Sequence, residues 1–541
     1  MALLDVKNLS FTFANNQVNA VKNLSFQINE GEFILLTGST GSGKTTLLKL
    51  IKKELTPFGK LTGEILYQQK DLSLLTPKEQ ASEIGYVFQN AESQIVSDFV
   101  FQELAFGLEN LGYDPDTIRL RVGEMASFFG ITTWFRKKIS DLSGGQKQLL
   151  NLASVMVMKP RILLLDEPTS QLDPIAASEF LQTLKKLNRE LGLTIIIVEH
   201  HLEELWTLVD RVLVLDQGLL IAFNTPQKIS QNGFMPILDL PSSVKIYREF
   251  SFNDVCPLTV NEAKKWLSAH FDNHIKKMDN NDQINEMPLS LKLENIWFRY
   301  EKKTEDIFRG LNLEIKQGDI LTIVGGNGSG KSTLLKLIAN LIKPYSGKTK
   351  YFGKKQPIIA FLPQNPQDLF ISDSVLAELK DMEQFLNISQ NEFSIRLQQN
   401  IDLFNLNDIL SHHPYDLSGG EQQKLALSKI LMCDPDIILL DEPSKSLDAK
   451  LKIILKNILL GLQKAGKTII IVSHDIEFAA RISNHSAMLF DGEIIAYGNP
   501  HQFFSGNNFY TTVANRLSRH MYEQLITEEE VVFMAKQNGA L

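Results

Sequence analysis

A glycine-rich stretch, GSTGSGKTT at residues 38–46, constrains the fold of this chain more than any other feature. It fits the pattern G-x-x-x-x-G-K-[ST] and lies between two apolar runs, 33–37 and 47–51. Backbone N–H groups at a helix N-terminus can surround phosphates only where no Cβ intervenes. The stretch therefore predicts a phosphate-binding loop between a strand and a helix, in which Lys44 reaches the terminal phosphates and Thr45 holds Mg²⁺. The predicted nucleotide-binding residues are Gly38, Ser39, Thr40, Gly41, Ser42, Gly43, Lys44, Thr45 and Thr46.

A second copy of the pattern follows the apolar run 320–324 and precedes the run 334–337. One copy alone could be a glycine-rich turn before a core helix, but two copies in matching context argue against that interpretation. The nucleotide-binding residues predicted from the second copy are Gly325, Gly326, Asn327, Gly328, Ser329, Gly330, Lys331, Ser332 and Thr333.

The two copies belong to an internal repeat that covers nearly the whole chain. DLSGGQKQ (141–148) matches DLSGGEQQ (416–423), ILLLDEPTSQLD (162–173) matches IILLDEPSKSLD (437–448), and IIIVEHHLEE (195–204) matches IIIVSHDIEF (469–478). Most markers are offset by about 275 residues and the lysines of the loops by 287, so the first half carries about twelve extra residues around 67–83. We interpret these residues as a loop-sized insertion.

The repeat predicts two α/β domains, each with a mainly parallel sheet, because strand-like runs alternate with amphipathic helical stretches. Residues 257–266 resemble residues 526–533, so each half is predicted to end in a small helical appendix. We therefore place the first domain at 1–268 with its appendix at 240–268, a polar linker at 269–290, and the second domain at 291–541 with its appendix at 505–541.

Composition narrows the class of protein. The chain has 541 residues, 43% hydrophobic and 22% charged, and its net charge of −8 gives no indication of a nucleic-acid partner. With two cysteines, and an N-terminus that lacks the features of a secretion signal, we expect a reducing cytosol. The apolar runs are strand-sized, so any work at a membrane is expected from outside the bilayer.

In each half, an apolar run that ends in two adjacent acidic residues predicts that the bound nucleotide is hydrolysed. Asp166 is expected on the Mg²⁺ side of the nucleotide and Glu167, on the other face, can polarise an attacking water. Asp441 and Glu442 repeat this arrangement in the second half. A solvated strand end is the alternative, but the phosphate-binding loop upstream favours catalysis.

Two such loops, each followed by a Gln-containing loop, LSGG, an LLDEP run and an isolated His, resemble the nucleotide-binding domains of ATP-binding cassette (ABC) proteins. This resemblance implies ATP and Mg²⁺ as ligands, and a head-to-tail sandwich of the two halves with two ATP sites at their interface. By resemblance, each site pairs the phosphate-binding loop of one half with the LSGG segment of the other, which adds Ser418 and Gly420 to the first site and Ser143 and Gly145 to the second. The implied metal-site residues are Thr45, Gln89, Asp166, Ser332, Gln364 and Asp441, and the implied catalytic residues are Glu167, His200, Glu442 and His474.

Phe13 and Tyr300 fall where this family stacks an aromatic ring on the adenine, although core packing is an alternative for Phe13. The halves depart only mildly from the commonest pattern, with Gln146 in one signature and Glu421 in the other. Because both keep their acidic base and His, we expect two hydrolytically competent sites.

Residues 90–112, 148–174 and 509–520 look like the fused ATPase subunits of energy-coupling factor (ECF) transporters, which import vitamins and metal ions. The resemblance implies a transmembrane scaffold subunit, contacted by 95–109 and 369–379, and a separate substrate-binding membrane subunit. It places the chain at the cytoplasmic face of the membrane as a peripheral protein. A soluble tandem ABC protein acting on ribosomes is the alternative. Such proteins have a long charged helical connector, and here the connector is short. A DNA-repair or chromosome-structure ATPase would need coiled-coil or zinc-binding insertions, and the sequence has neither heptads nor clustered cysteines.

Overall fold

A computed structural model of the protein describes residues 2–14, 18–231, 238–250, 252, 254–275, 277, 287–353, 357–386, 388–445 and 447–539. The chain divides into two compact units, Met1–Val244 and Lys245–Leu541. In both units, strands alternate with helices as the repeat predicts, which confirms the α/β fold.

The first unit contains a small antiparallel sheet of order β2-β1-β4-β5 and a larger sheet of order β10-β9-β3-β8-β7-β6. Neighbouring strands in the larger sheet are parallel, except that β9 and β10 are antiparallel to each other. The strands are β1 (Ala2–Phe13), β2 (Val21–Asn29), β3 (Phe33–Gly38), β4 (Gly59–Tyr67), β5 (Lys70–Asp71), β6 (Ile84–Val87), β7 (Ile162–Asp166), β8 (Thr194–Val198), β9 (Arg211–Asp216) and β10 (Leu219–Asn224). The helices are α1 (Lys44–Ile51), α2 (Pro77–Glu83), α3 (Val100–Asn110), α4 (Pro115–Phe128), α5 (Gly144–Met156), α6 (Pro174–Leu191), α7 (Leu205–Leu208) and α8 (Pro226–Gln231), and α9 (Ser242–Arg248) runs across the division between the units.

The second unit repeats this plan with a small sheet of order β12-β11-β14 and a larger one of order β15-β16-β17-β13-β18-β19. Its helices are α10 (Val260–His270), α11 (Lys331–Ile338), α12 (Val375–Lys380), α13 (Gln390–Phe404), α14 (Gly419–Leu431), α15 (Ala449–Lys464), α16 (Ile476–Ile482), α17 (Pro500–Gly506), α18 (Val513–Ser518) and α19 (Glu528–Asn538). Its strands are β11 (Leu289–Phe298), β12 (Phe308–Lys316), β13 (Ile320–Val324), β14 (Ser346–Tyr351), β15 (Ile359–Leu362), β16 (Ile437–Asp441), β17 (Thr468–Val472), β18 (His485–Phe490) and β19 (Glu493–Gly498).

The central strands of both large sheets are buried along their whole length. β3, β7, β8, β13, β16 and β17 are mainly apolar, as expected of a parallel sheet that is covered on both faces. The register pairs Leu36 and Asp166 with the same residue of β8, Val198. In the first unit, the phosphate-binding loop and the acidic pair therefore lie at the same end of the sheet, the carboxyl ends of its parallel strands.

The extra residues of the first half form regular structure rather than a loop alone. They fold into the two-residue strand β5 and the helix α2, which begins at a capping box made by Thr76 and Glu79. The sequence signal for this helix is Thr-Pro-x-Glu, an N-cap followed by proline and, at the third helical position, glutamate.

The helix α10, near the middle of the chain, belongs to the second unit. α10 packs against α18, and Ser268 Oγ lies 2.8 Å from His520 Nε2. Tyr522 donates a hydrogen bond of 3.2 Å to the carbonyl oxygen of Asp272. The domain boundaries at 268–269 and 290–291 stay predictions, and much of the predicted linker lies outside the described residues. Within the described ranges, we find no helix that combines the length and the hydropathy needed to cross a bilayer.

Candidate functional site

The phosphate-binding loop of the first unit joins β3 to α1 and depends on close backbone approach. A Cβ on Gly38 would lie 1.9 Å from the carbonyl oxygen of Leu215, and one on Gly43 would lie 2.4 Å from that of Ala20. Both glycines also have positive φ, 146° and 94°. Lys44 Nζ donates hydrogen bonds to the carbonyl oxygens of Gly38 and Ser39 at 3.0 and 2.8 Å, so its charge is held over the loop.

The loop of the second unit has the same construction. Lys331 Nζ donates to the carbonyl oxygens of Gly325 and Gly326 at 3.0 and 2.9 Å. In both loops one buried hydroxyl, of Ser42 or of Ser329, has no hydrogen-bond partner within the described parts of the chain. A phosphate oxygen at the helix N-terminus would satisfy these donors, so both loops fit a nucleotide polyphosphate.

Two of the three predicted magnesium residues of the first unit, Thr45 and Asp166, are in contact, while the third, Gln89, is bonded to Glu167. Thr45 Oγ1 donates to Asp166 Oδ1 at 3.0 Å, and the Tyr86 hydroxyl donates to Asp166 Oδ2 at 3.2 Å. Burial, together with the charge of Glu167, raises the pKa of Asp166. A hydroxyl and a carboxylate oxygen are ligands that Mg²⁺ prefers, so this donor set fits the ion.

In the second unit, Asp441 takes the place of Asp166. Burial raises the pKa of Asp441, while a hydrogen bond with Ser332 opposes that shift. Of the groups that the structure describes, Asp441 Oδ1 is a buried oxygen without a hydrogen-bond partner. An orphaned carboxylate oxygen beside a serine hydroxyl also fits a divalent cation.

Glu167 lies directly after β7 and contacts Gln89, a predicted metal-site residue, and His200, the other predicted catalytic residue of its unit. Gln89 Nε2 donates to Glu167 Oε2 at 2.8 Å, and His200 Nε2 lies 3.1 Å from Glu167 Oε1. Burial raises the pKa of Glu167, but the hydrogen bond and charge of His200 and the charge of Lys44 outweigh it and lower the pKa below its usual value. The residue is therefore a carboxylate, the form that a general base requires.

Glu442 occupies the equivalent place in the second unit with different contacts. Its Oε2 accepts from the backbone N–H of His474 at 3.1 Å, and its Oε1 lies 3.4 Å from His474 Nε2. Burial raises the pKa of Glu442 to about 7. Gln364 is exposed, and its described hydrogen bonds include none to Glu442. The structure thus brings the Gln, Glu and His together in the first unit, but only the Glu and His in the second.

Both predicted catalytic glutamates have a left-handed backbone conformation. Their φ angles are 45° at Glu167 and 53° at Glu442, a region that residues other than glycine seldom adopt. Such outliers persist where the surrounding structure holds them, often at functional sites.

The signature segments begin helices. Ser143 caps α5 and Ser418 caps α14, each in a capping box with the residue three positions later. A Cβ on Gly420 would lie 2.5 Å from Leu451 Cδ1, so the end of that side chain would have to shift, whereas a Cβ on Gly145 would have ordinary contacts. The pairing of each segment with the opposite loop stays a prediction.

The predicted adenine-stacking residues are partly exposed in their own units. Phe13 packs edge-on against Phe11, with ring centroids 5.1 Å apart, and Tyr300 packs in the same way against Phe298. The Tyr300 hydroxyl lies 3.3 Å from Thr333 Oγ1 of the phosphate-binding loop. The stacking role stays a prediction.

Sequence reasoning missed Glu199, a buried carboxyl between β8 and His200. Its Oε1 accepts hydrogen bonds from the backbone N–H and the hydroxyl of Thr169, at 2.9 and 2.6 Å. Burial raises the pKa of Glu199 to about 8. The available signal was an acidic residue at the end of an otherwise apolar strand, where an unpaired charge is costly.

We expect Glu199 to make the stability of the protein depend on pH. A carboxyl with a raised pKa binds its proton more tightly in the folded state, so the free energy of unfolding falls as pH rises from about 4.5 toward 8. The slope approaches about 1.4 kcal/mol per pH unit for one proton. The melting temperature of Glu199→Gln should therefore fall less between pH 6 and pH 8 than that of the wild type, as measured by calorimetry. Equal falls in melting temperature would contradict the assignment.

The ABC transporter family model matches residues 21–170 and 308–445, the parts that contain both loops and both acidic pairs. A Bacillus cereus protein described as a "Putative ABC transporter ATP-binding protein" is 41% identical over 550 residues, covering 98% of each chain. A similarly described protein of Methanosarcina acetivorans is 32% identical, covering 92% of this chain and 84% of that protein. A solved structure, cbiO1 from Clostridium perfringens, part of the ABC transporter complex cbiONQ, is 33% identical and covers 43% of this chain and 91% of its own, with a TM-score of 0.40.

The family match covers the predicted phosphate-binding loops, the strands that carry Asp166 and Asp441, and the glutamates that follow them. Hydrolysis of ATP follows from membership of this family. The chain therefore belongs to the ABC transporter family, as an ATPase with two ATP-binding domains in tandem.

Proposed function

We propose that this chain is the energy-coupling ATPase of an ECF-type importer, which takes up a vitamin, a vitamin precursor or a transition-metal ion. In this proposal the chain works at the cytoplasmic face of the cell membrane as a peripheral protein. It binds a transmembrane scaffold subunit, and a separate membrane subunit captures the substrate. Selectivity for the substrate then lies outside this chain.

The observation that carries the proposal is the apolar surface that follows Gln89. Phe101 and Phe106 of α3 are 39% and 45% exposed, and Val96 of the preceding loop is 62% exposed. Buried Glu103 fixes this loop, because its Oε2 accepts from the backbone N–H groups of Val96 and Ser97 at 3.1 and 2.9 Å. An ordered surface with exposed aromatic side chains suits a protein partner, and the stretch that forms it is the one that resembles ECF ATPases.

The second unit carries a corresponding loop. Ile371 is 77% exposed, and buried Glu378 accepts hydrogen bonds from the backbone N–H groups of Ile371 and Ser372. Lys429 of α14 forms an ion pair with Glu378, which ties this loop to the helix that Ser418 begins. A partner bound at 369–379 would therefore press on an element joined to the signature segment.

We further propose two composite ATP sites, formed as the two units close head to tail. ATP favours the closed state, and hydrolysis removes that preference, which resets the units. Magnesium, when bound by Thr45 and Asp166 or by Ser332 and Asp441, would neutralise phosphate charge. In each site the glutamate accepts a proton from the attacking water, and the histidine holds that glutamate in place.

The test is a pull-down of the tagged chain from its own cells in mild detergent, followed by mass spectrometry. We expect two small, very hydrophobic proteins to be recovered with the wild type. Asp98→Lys with Glu109→Lys should reduce that recovery at least about tenfold, because both residues are exposed at the edges of the proposed surface. Glu103 is left intact, since it holds the loop.

The matched control carries the same charge change on α6, as Glu179→Lys with Glu190→Lys, and should keep both partners. Equal losses in the control and the test variant would contradict the assigned surface. Recovery of ribosomal proteins without any membrane protein would overturn the proposal in favour of a translation ATPase.

A further inference from the structure

The first unit contains a buried carboxyl beside its catalytic histidine to which the mechanism above gives no role. Glu199 is 2% exposed and lies between Val198, the last residue of β8, and His200. Burying a carboxyl is costly unless hydrogen-bond partners satisfy its oxygens.

Those partners belong to the turn that carries the catalytic base. Thr169 follows Glu167 by two residues, and it gives both its backbone N–H and its hydroxyl to one oxygen of Glu199. Glu167 itself is bonded to the sheet, because its backbone N–H donates to the carbonyl oxygen of Val198 at 3.0 Å. The chain segments that carry Glu167 and His200 are therefore joined by the Glu199 contact as well as by this backbone hydrogen bond.

The second unit lacks this contact although its backbone is equivalent. Ser473 stands in the place of Glu199 and Ser444 in that of Thr169, and their hydroxyl oxygens are 3.5 Å apart, at the limit of a hydrogen bond. The Glu442 and His474 side chains are 3.4 Å apart, whereas Glu167 and His200 are 3.1 Å apart. The shorter catalytic contact accompanies the stronger link between the segments.

We propose that Glu199 and Thr169 form a positioning pair that holds His200 against Glu167, and that hydrolysis at the first ATP site depends on this pair while the second site works without one. Neither residue touches the reacting atoms. A protonated Glu199 can make these contacts without adding a second negative charge next to Glu167, and the raised pKa of Glu199 agrees with that form.

The experiment measures steady-state ATP hydrolysis in a Glu442→Gln background, in which turnover reports the first site. Glu199→Ser, which installs the residue of the second unit, should lower kcat about tenfold and change the KM for ATP less than twofold. Glu199→Gln keeps a carbonyl oxygen that can accept both hydrogen bonds, so it should retain kcat within about threefold.

Two comparisons separate positioning from a general structural role. Glu199→Ser should leave kcat within twofold in a Glu167→Gln background, where turnover reports the second site. Ser473→Ala, the matched change in the second unit, should also leave wild-type kcat within twofold. Its hydroxyl lies 3.5 Å from that of Ser444, and its other hydrogen bond, from the backbone N–H of Asp475 at 3.0 Å, stays within its own segment. If Glu442→Gln alone abolishes turnover, the two sites are coupled. The effect of Glu199→Ser is then measured in the wild-type background, where a loss at the first site lowers the whole rate.

Full kcat in Glu199→Ser would overturn the proposal, and so would an equal loss of kcat in Glu199→Gln. If the serine variant does not fold, Thr169→Val decides, because it removes one of the two donors and keeps the side-chain shape. A loss of about threefold in kcat at constant KM is then the expected result, and unchanged kcat would overturn the proposal.

Discussion

Glu167→Gln combined with Glu442→Gln is expected to hydrolyse ATP at least about a hundredfold more slowly than the wild type while still binding it. A general base contributes roughly 10²- to 10⁴-fold, and the amide cannot accept the proton of the attacking water. Both glutamates are held at the ends of buried strands, so the replacement leaves the loops that bind phosphate intact. Phosphate release measures the rate, and calorimetric titration with ATP measures the affinity.

The two single variants test whether both sites are competent. We expect their residual rates to agree within about tenfold, because each glutamate retains a histidine within 3.4 Å. A larger difference would show that one site carries most of the turnover. A double variant that kept more than a tenth of the wild-type rate would instead show that neither glutamate is the base.

Lys44→Ala combined with Lys331→Ala is expected to weaken ATP binding roughly 10- to 100-fold at each site, the loss that corresponds to one charge-assisted hydrogen bond. Each ammonium group is held by two carbonyl oxygens of its own loop, so its position is set before the nucleotide arrives. Titration in the hydrolysis-deficient glutamine background measures affinity without turnover. Each single variant should weaken one of two binding events.

Lys228→Ala provides the control for removal of a lysine, because this residue is exposed on α8. It should bind ATP as the wild type does. Unchanged affinity in the double loop variant would contradict the assignment of the phosphate-binding loops.

The sequence predicted those parts of the site in which residue type is dictated by local chemistry. Gly38 and Gly43 are required by backbone contacts, and the acidic pair at the end of β7 follows an unmistakable apolar run. It did not predict the Glu199 contact with Thr169, because thirty residues separate the two and only the sheet brings them together. The different surroundings of Gln89 and Gln364 were missed for the same reason.

The helices near the middle of the chain illustrate a second limit. The pattern of α10 predicts an amphipathic helix, yet an apolar face does not specify which surface will cover it. Only the contacts with α18 and with the residues after it show its partner. The capping box could have predicted the helix α2, but the polar composition of this stretch led to its interpretation as a loop.

At Glu167 and Glu442, the left-handed backbone lowers stability, while the side chain at the same position is the one proposed to act in hydrolysis. A strained residue costs of order 1–3 kcal/mol, and glycine at either position would remove that cost together with the proposed general base. Selection for thermal resistance alone would thus favour a chain that cannot hydrolyse ATP. A programme to make this protein more robust should leave both turns untouched and look for its gains elsewhere in the two units.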